Sequence, residues 1–175
     1  MSVSGFLELV AALLRAEVRF VLIGVEGVNH YARAAGTVFT THDRDLFLPS
    51  DAANEQRALQ ACSAMGMHLW CGDEPLGGPF DLDLAERVVE RRALVRATGQ
   101  TIEVDLTLVM AGFEFEPVWA ERRLFRVRGI EVPVARLAHI IRSKAAAARP
   151  KDQSFLATHE EALRQLLPRR FGRRP

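Results

Sequence analysis

The sequence has few cysteines and no excess of charge of either sign. Its two cysteines, Cys62 and Cys71, lack the CxxC or Cys/His spacing of a zinc site, so we interpret them as reduced structural thiols. Lysine and arginine number 23 against 22 aspartate and glutamate, so no global field draws the chain onto nucleic acid or an anionic membrane. Any basic site must therefore be local.

Long apolar runs and a secretory leader are also missing from the sequence. No apolar run approaches the roughly 18 to 20 residues that a membrane-spanning helix needs. The opening residues, MSVSGFLELVAALL, lack the basic start and the small-residue cleavage site of a signal peptide. We therefore expect a cytoplasmic protein with no membrane contact.

The length and composition are those of one folded domain. The chain has 175 residues, of which 49% are hydrophobic and 26% charged, far from the composition of disordered chains. We predict a single domain over residues 1–167, followed by a basic tail over residues 168–175. The tail contains Arg169, Arg170, Arg173 and Arg174, which we interpret as solvated, with nucleic-acid or phosphate binding as the alternative.

Periodicity along the chain predicts a mixed α+β fold rather than a regular βαβ alternation. Apolar residues recur at helical spacing in SGFLELVAALLRAE, whereas VRFVLIGV is typical of an interior strand. The remaining predictions follow in chain order: a glycine turn from Gly24 to Gly27, a strand LFL ended by Pro49, a helix capped by Ser50 or Asp51, a loop CGDEPLGGPF, a helix entered through Asp83, a hairpin around TGQ, the strands RLFRVRG and IEVPV, a helix broken by Pro150, and a last helix from about Asp152 to Leu167.

The stretch THDRDLFLP carries the residues that point most clearly to a function. Asp43 and Asp45 are two positions apart before an apolar run, so both carboxylates project from one face of a strand and can reach hard cations such as Mg²⁺. Asp105 has the same alternation phase on a later strand, and a glycine turn with free N–H groups can cradle phosphates. A solvated turn at Asp43 is the alternative, and a competing pair, Asp81 and Asp83, is explained locally by helix capping.

These segments resemble a known family. FVLIGVEGVNHYAR, TTHDRDLFL and IEVDLTL are similar to the strand-turn-helix, Asp-x-Asp strand and third-acid strand of the nucleotidyltransferase superfamily with the polymerase-beta-like fold. The resemblance is to small bacterial members related to AbiEii-type toxins and minimal nucleotidyltransferases. IRSKAAAARPKD resembles the later helix of the family, which bears a lysine.

The resemblance implies an enzyme that moves a nucleoside monophosphate from an NTP to a hydroxyl of RNA, a protein or a small molecule. It implies that Asp43, Asp45 and Asp105 bind two Mg²⁺ ions and that Asp105 helps to activate the hydroxyl. It implies that nucleotide is held by Gly24, Gly27, Lys144 and Lys151, with a surface helix lysine as the alternative for Lys144. Arg33, which follows the glycine turn, is a further candidate for binding phosphate, with an exposed helix arginine as the alternative. Val25 and Glu26 replace residues usual in the family, which favours a second hypothesis, namely an interaction or regulatory module with a protein partner, as in a toxin-antitoxin pair.

Overall fold

The protein folds as one α+β domain around a single mixed sheet. The computed structural model describes residues 3–168, and within them eight strands lie in the order β4-β3-β5-β6-β2-β1-β8-β7. The strands are β1 (Val21–Ile23), β2 (Asp45–Phe47), β3 (His68–Cys71), β4 (Glu74–Pro75), β5 (Val95–Thr98), β6 (Glu103–Thr107), β7 (Arg123–Val127) and β8 (Ile130–Val134). This confirms the predicted fold class.

Helices connect these strands and cover the sheet. They are α1 (Val3–Arg15), α2 (Gly24–Ala32), α3 (Ala52–Ala64), α4 (Leu82–Glu90), α5 (Phe115–Ala120), α6 (Leu137–Ala147), α7 (Pro150–Thr158) and α8 (Glu160–Leu166), with a 3₁₀ turn at Arg33–Ala35. The apolar face of α1 is buried, with Leu9, Val10 and Leu13 fully inaccessible. No helix among residues 3–168 combines the length and the apolar character needed to cross a membrane.

The central strands β1 and β2 are short and largely buried. Strand β1 is antiparallel to β2 and parallel to β8, while β2 is also parallel to β6. Buried strands of this kind lose the alternation of polar and apolar residues, as VLI and LF do here. Ile23 at the end of β1, Asp45 at the start of β2 and Asp105 in the middle of β6 consequently lie side by side in the centre of the sheet.

Two helix starts differ from the sequence predictions. The prediction of a glycine turn from Gly24 to Gly27 is wrong, because α2 begins at Gly24 directly after β1 and includes Gly27. Helix α4 begins at Leu82, and Asp81 is its cap, accepting a hydrogen bond from the Leu84 N–H at 2.9 Å. Asp83 therefore lies in the first turn of the helix rather than at its cap.

Other differences concern short elements. Strand β3 and helix α5 carry too few residues to show a clear period and were not predicted, and the predicted loop CGDEPLGGPF contains β4, which pairs with β3. The predicted last helix is two helices, separated at His159, whose ring packs on Phe39 and Phe155 at centroid distances of 4.7 and 4.9 Å. The four arginines predicted as a basic tail lie outside the described residues.

Candidate functional site

The strand register brings two predicted aspartates side by side. Asp45 is opposite Asp105 on the parallel strand β6, and on its other side it is opposite Ile23 at the end of β1. Both carboxylates line a cavity of about 600 Å³, together with Asp43 and with residues of α2, α6 and α7. The sequence could indicate that these strands exist, but only the register places their acids together.

The charged form of Asp45 is disfavoured in this cavity. Burial, followed by the charges of Asp105 and Asp43, raises the pKa of Asp45 to about 6. Within residues 5–168 no group donates a hydrogen bond to its carboxylate, although the charges of Lys144 and Lys151 act in the opposite direction. A carboxylate that is buried, crowded by like charges and without hydrogen-bond donors would be stabilised by a bound cation.

Asp105 is held by an arginine that sequence reasoning did not single out. Arg96 lies opposite Asp105 on β5, and its Nε and NH2 groups donate to the two carboxylate oxygens at 2.8 and 3.0 Å. The NH1 group of Arg96 also lies 3.3 Å from Glu103 Oε1. This bidentate pair occupies both oxygens of the third predicted acid.

Asp43 precedes β2 and is more exposed. Its N–H donates to Thr41 Oγ1 at 3.2 Å, which fixes a tight turn just before the strand. Lys151 Nζ lies 3.7 Å from Asp43 Oδ2, with both side chains more than half exposed. Asp43 is thus tethered across the cavity to the start of α7 by a weak, solvated ion pair.

The loop that carries Asp43 is fastened to α2 by one buried side chain. Asn29 is 1% exposed, and it donates to the Phe39 carbonyl at 2.9 Å and accepts from the Phe39 N–H at 2.7 Å. The side-chain amide of Asn29 therefore forms the two hydrogen bonds that a neighbouring strand would otherwise form with the backbone of Phe39. The connection sets where the chain enters the turn at Thr41 and Asp43.

Gly24 brings the start of α2 against the aspartates. Its φ is +69°, and a Cβ built there would collide with Asp45 Oδ2. No side chain caps the N-terminus of the helix, and its first residues, Gly24 and Val25, line the cavity. This is a position where oriented N–H groups can meet an anion.

The opposite wall of the cavity is basic. Lys144 Nζ lies 2.8 Å from Oδ1 of Asp152, and Arg149 Nε lies 2.6 Å from its Oδ2. Burial works to raise the pKa of Asp152, but the hydrogen bonds and charges of Lys144 and Arg149 lower it overall. Asp152 is 1% exposed, so it orients both cations while their groups remain on the cavity wall.

Two of the predicted nucleotide-binding residues lie elsewhere. Gly27 is packed inside α2, where an added Cβ would meet Ile140 and the Leu22 carbonyl. Arg33 NH2 instead binds Glu26 Oε1 at 2.6 Å, and Asn29 donates to Glu26 Oε2 at 3.2 Å. Neither Gly27 nor Arg33 lines the cavity, and Glu26, which would oppose a phosphate, is also held away from it.

Arg96, Arg149 and Asp152 are the cavity residues that sequence reasoning missed as functional. Arg96 alternates outward on β5 like any surface strand residue, so nothing local distinguishes it. The sequence does contain one sign of the basic wall. Lys144 and Lys151 are the only lysines in the whole sequence, and both line the cavity.

The carboxylates of the cavity are suited to hold one cation, but they do not form a metal site made entirely of protein ligands. No three His, Cys, Asp or Glu side chains within residues 3–168 form a ready metal-binding group. Mg²⁺ is commonly held by one or two carboxylates together with substrate phosphates and water, so Asp43 and Asp45 are sufficient for one ion. The predicted second ion would need Asp105, which Arg96 engages.

No protein-family model matches the chain, and no curated protein matches it.

Proposed function

We propose that the protein is a Mg²⁺-dependent nucleotidyltransferase that moves a nucleoside monophosphate from an NTP to a hydroxyl acceptor. The observation that carries the proposal is the convergence of Asp45, Asp105 and Asp43 on one cavity, opposite a wall of cations. The raised pKa of Asp45 supports it, because perturbed carboxylates in a cavity are typical of functional sites.

The charges in the cavity are separated by element. The strand side carries Asp43, Asp45 and Asp105, whereas α6, α7 and the turn between them carry Lys144, Arg149 and Lys151. A triphosphate between these walls would have its oxygens toward the cations and would share a Mg²⁺ ion with the acids. The first N–H groups of α2, at Gly24 and Val25, would add a third set of donors.

Asp43 and Asp45 are the residues that would hold Mg²⁺. When bound, the ion would supply positive charge that offsets the charge of the phosphates. Lys144 and Lys151 bind phosphate oxygens, and Asp152 keeps Lys144 in place for this.

The proposed transfer is an in-line displacement. The acceptor oxygen forms a bond to the α-phosphorus, the bond from that phosphorus to the pyrophosphate breaks, and the pyrophosphate leaves with the electron pair. The proton of the hydroxyl passes to Asp105, which must first give up at least one of its hydrogen bonds with Arg96.

The test compares Asp45→Asn with Asp81→Asn. Both remove one carboxylate, but Asp81 caps α4 and does not line the cavity. We expect Mg²⁺ to raise the melting temperature of wild type and of Asp81→Asn above about pH 6, and not that of Asp45→Asn. Transfer of labelled nucleotide should disappear only in Asp45→Asn. Equal Mg²⁺ effects in the two variants would contradict the proposal.

A second candidate function is supported by the Arg96–Asp105 pair. This pair occupies the third acid, as expected of a fold that has lost catalysis and serves as an interaction or regulatory module for a protein partner. Calorimetry with Mg²⁺ and each NTP separates the two functions. Nucleotide binding that requires Mg²⁺ and Asp45 favours the enzyme, and its absence favours the module.

A further inference from the structure

A row of four side chains runs across the sheet away from the proposed metal site. Asp45 is opposite Asp105, Asp105 is opposite Arg96, and Arg96 is opposite Trp70 on β3. Residues directly opposite on neighbouring strands point to the same face. Since strands are spaced by about 4.8 Å, the backbone at Trp70 lies about 14 Å from that at Asp45.

A second cavity lies along the outer half of this row. It has a volume of about 250 Å³ and is lined by Trp70, Gly72, Asp73, Arg96 and Thr98. Arg96 lines both this groove and the larger cavity. The two cavities therefore share Arg96 as a lining residue, and we call the row of residues from the aspartates to Trp70 the track.

The groups along the track are fixed in place. The indole Nε1–H of Trp70 donates to Thr98 Oγ1 at 3.0 Å, so one edge of the ring is held while the residue stays partly exposed. The Arg96 side chain is 45% exposed although it binds Asp105, so guanidinium surface remains open to a ligand. A held aromatic face beside a guanidinium suits a base and its phosphate.

We propose that this track binds the acceptor, and that the acceptor is the end of a single-stranded nucleic acid. A base stacks on Trp70, a backbone phosphate contacts Arg96, and the terminal hydroxyl reaches Asp105 beside Asp45. This proposal rests on the proposed nucleotidyltransferase function. A span of about 14 Å suits a chain molecule, and stacking with a guanidinium contact favours a nucleic acid over a peptide.

Acidic neighbours limit the electrostatic part of this binding. Asp73 lines the groove, and Glu103 lies 3.3 Å from Arg96 NH1. Asp73 can accept a hydrogen bond from the amino group of a base, but neither acid attracts phosphate. Stacking should therefore dominate, and one phosphate contact predicts a salt slope of only about 0.7.

The experiment measures binding separately from transfer. The chain has two tryptophans, so a Trp119→Phe background leaves Trp70 as the fluorescent reporter. Short oligoribonucleotides and oligodeoxyribonucleotides are titrated without NTP, and quenching of Trp70 is expected with one or both. In polarisation assays with labelled oligonucleotide, Trp70→Ala should weaken binding about 10-fold or more, whereas Trp70→Phe should keep most of the affinity.

A matched pair of arginine variants tests the phosphate contact. Arg96→Ala should weaken binding and reduce its salt dependence, whereas Arg126→Ala should change neither. Arg126 is also an ion-paired strand residue, but it lies on β7 at the far edge of the sheet. Equal effects of the two variants would mean that general charge, and not the track, is responsible.

The outcomes separate this proposal from the function on which it rests. Unchanged affinity in Trp70→Ala, or transfer to a protein or small hydroxyl compound with none to oligonucleotides, would overturn the nucleic-acid acceptor and leave the nucleotidyltransferase standing. Binding at Trp70 with no transfer from any NTP would instead overturn the nucleotidyltransferase and leave a nucleic-acid-binding groove.

Discussion

Gly24 is the residue on which access to Asp45 depends most directly. Its positive φ disfavours any side chain, and its missing Cβ makes room for the Asp45 carboxylate. The sequence suggested that this glycine matters because it ends an apolar run. The reason found in the structure is different, since the glycine makes space beside the acid at the start of α2.

Gly24→Ala should therefore disturb the site as well as the backbone. The left-handed conformation should cost about 1–2 kcal/mol of folding free energy, and the new methyl group should displace Asp45. Gly66→Ala is the matched control, because Gly66 has a φ of +73° and no atom within 4 Å of an added Cβ. Urea unfolding should show similar losses in both variants. Mg²⁺-dependent stabilisation should be lost only in Gly24→Ala, and its persistence there would contradict this account.

At the scale of elements, the strands with clear alternation were predictable and the contacts between them were not. The hairpin of β5 and β6 follows from the period-two pattern around TGQ. The pairing of Asp45 with Asp105 and of Asp105 with Arg96 depends on the register of strands that are distant in sequence. Phase on one strand could identify Asp105 as a candidate, but it could not identify Arg96 as its partner.

The loop from the 3₁₀ turn to β2 has no regular structure of its own, so side chains hold it in place. Asn29 supplies both a donor and an acceptor to Phe39, just before the turn that carries Asp43. The sequence contained no sign of this contact, because an asparagine inside a helix is equally compatible with a solvated position.

Asn29→Ala should loosen Asp43 without unfolding the protein. Leaving the Phe39 amide and carbonyl unpaired should cost about 1–3 kcal/mol. Asn54→Ala is the control, because Asn54 is 2% exposed and bonds the N–H and carbonyl of Arg19 in the same way, away from the cavity. Calorimetry should show weaker Mg²⁺ binding in Asn29→Ala alone. The same weakening in Asn54→Ala would assign the effect to general destabilisation.

At the scale of the whole molecule, burial shifts the pKa values of three groups so that the neutral form of each is favoured. Burial, with the charges of Asp105 and Asp43, raises the pKa of Asp45 to about 6. Burial raises the pKa of Glu55 to about 7, and its Oε2 has no hydrogen-bond partner among the described residues. Burial, and then the charge of Arg33, lowers the pKa of His30 to about 4. These three groups, together with His139, whose pKa burial also lowers, should determine how stability varies between about pH 4 and 7.

The signs of the three contributions differ. Asp45 and Glu55 hold their protons longer in the folded state, so their contribution to stability falls as pH rises from 3.8 to about 6 and from 4.5 to about 7, respectively. His30 is protonated more readily in the unfolded chain, so its contribution rises with pH from about 4 to 6.5. Each full change is worth up to about 3 kcal/mol, because one pKa unit corresponds to about 1.4 kcal/mol. The Asp45 and His30 contributions oppose each other over nearly the same pH range. The remaining change of stability with pH therefore comes mainly from Glu55.

Stability of the wild-type protein should therefore decrease from about pH 5 to 7, and Glu55→Gln should remove most of that decrease. Adding Asp45→Asn to Glu55→Gln should expose the His30 contribution, so that stability of the double variant increases from about pH 4 to 6.5. Urea unfolding across this range measures all three curves. A decrease toward pH 7 that survives in Glu55→Gln would show that another group titrates there. In the double variant, the Asp45 contribution no longer opposes that of His30. A flat curve would therefore mean that burial of His30 does not disfavour its charged form.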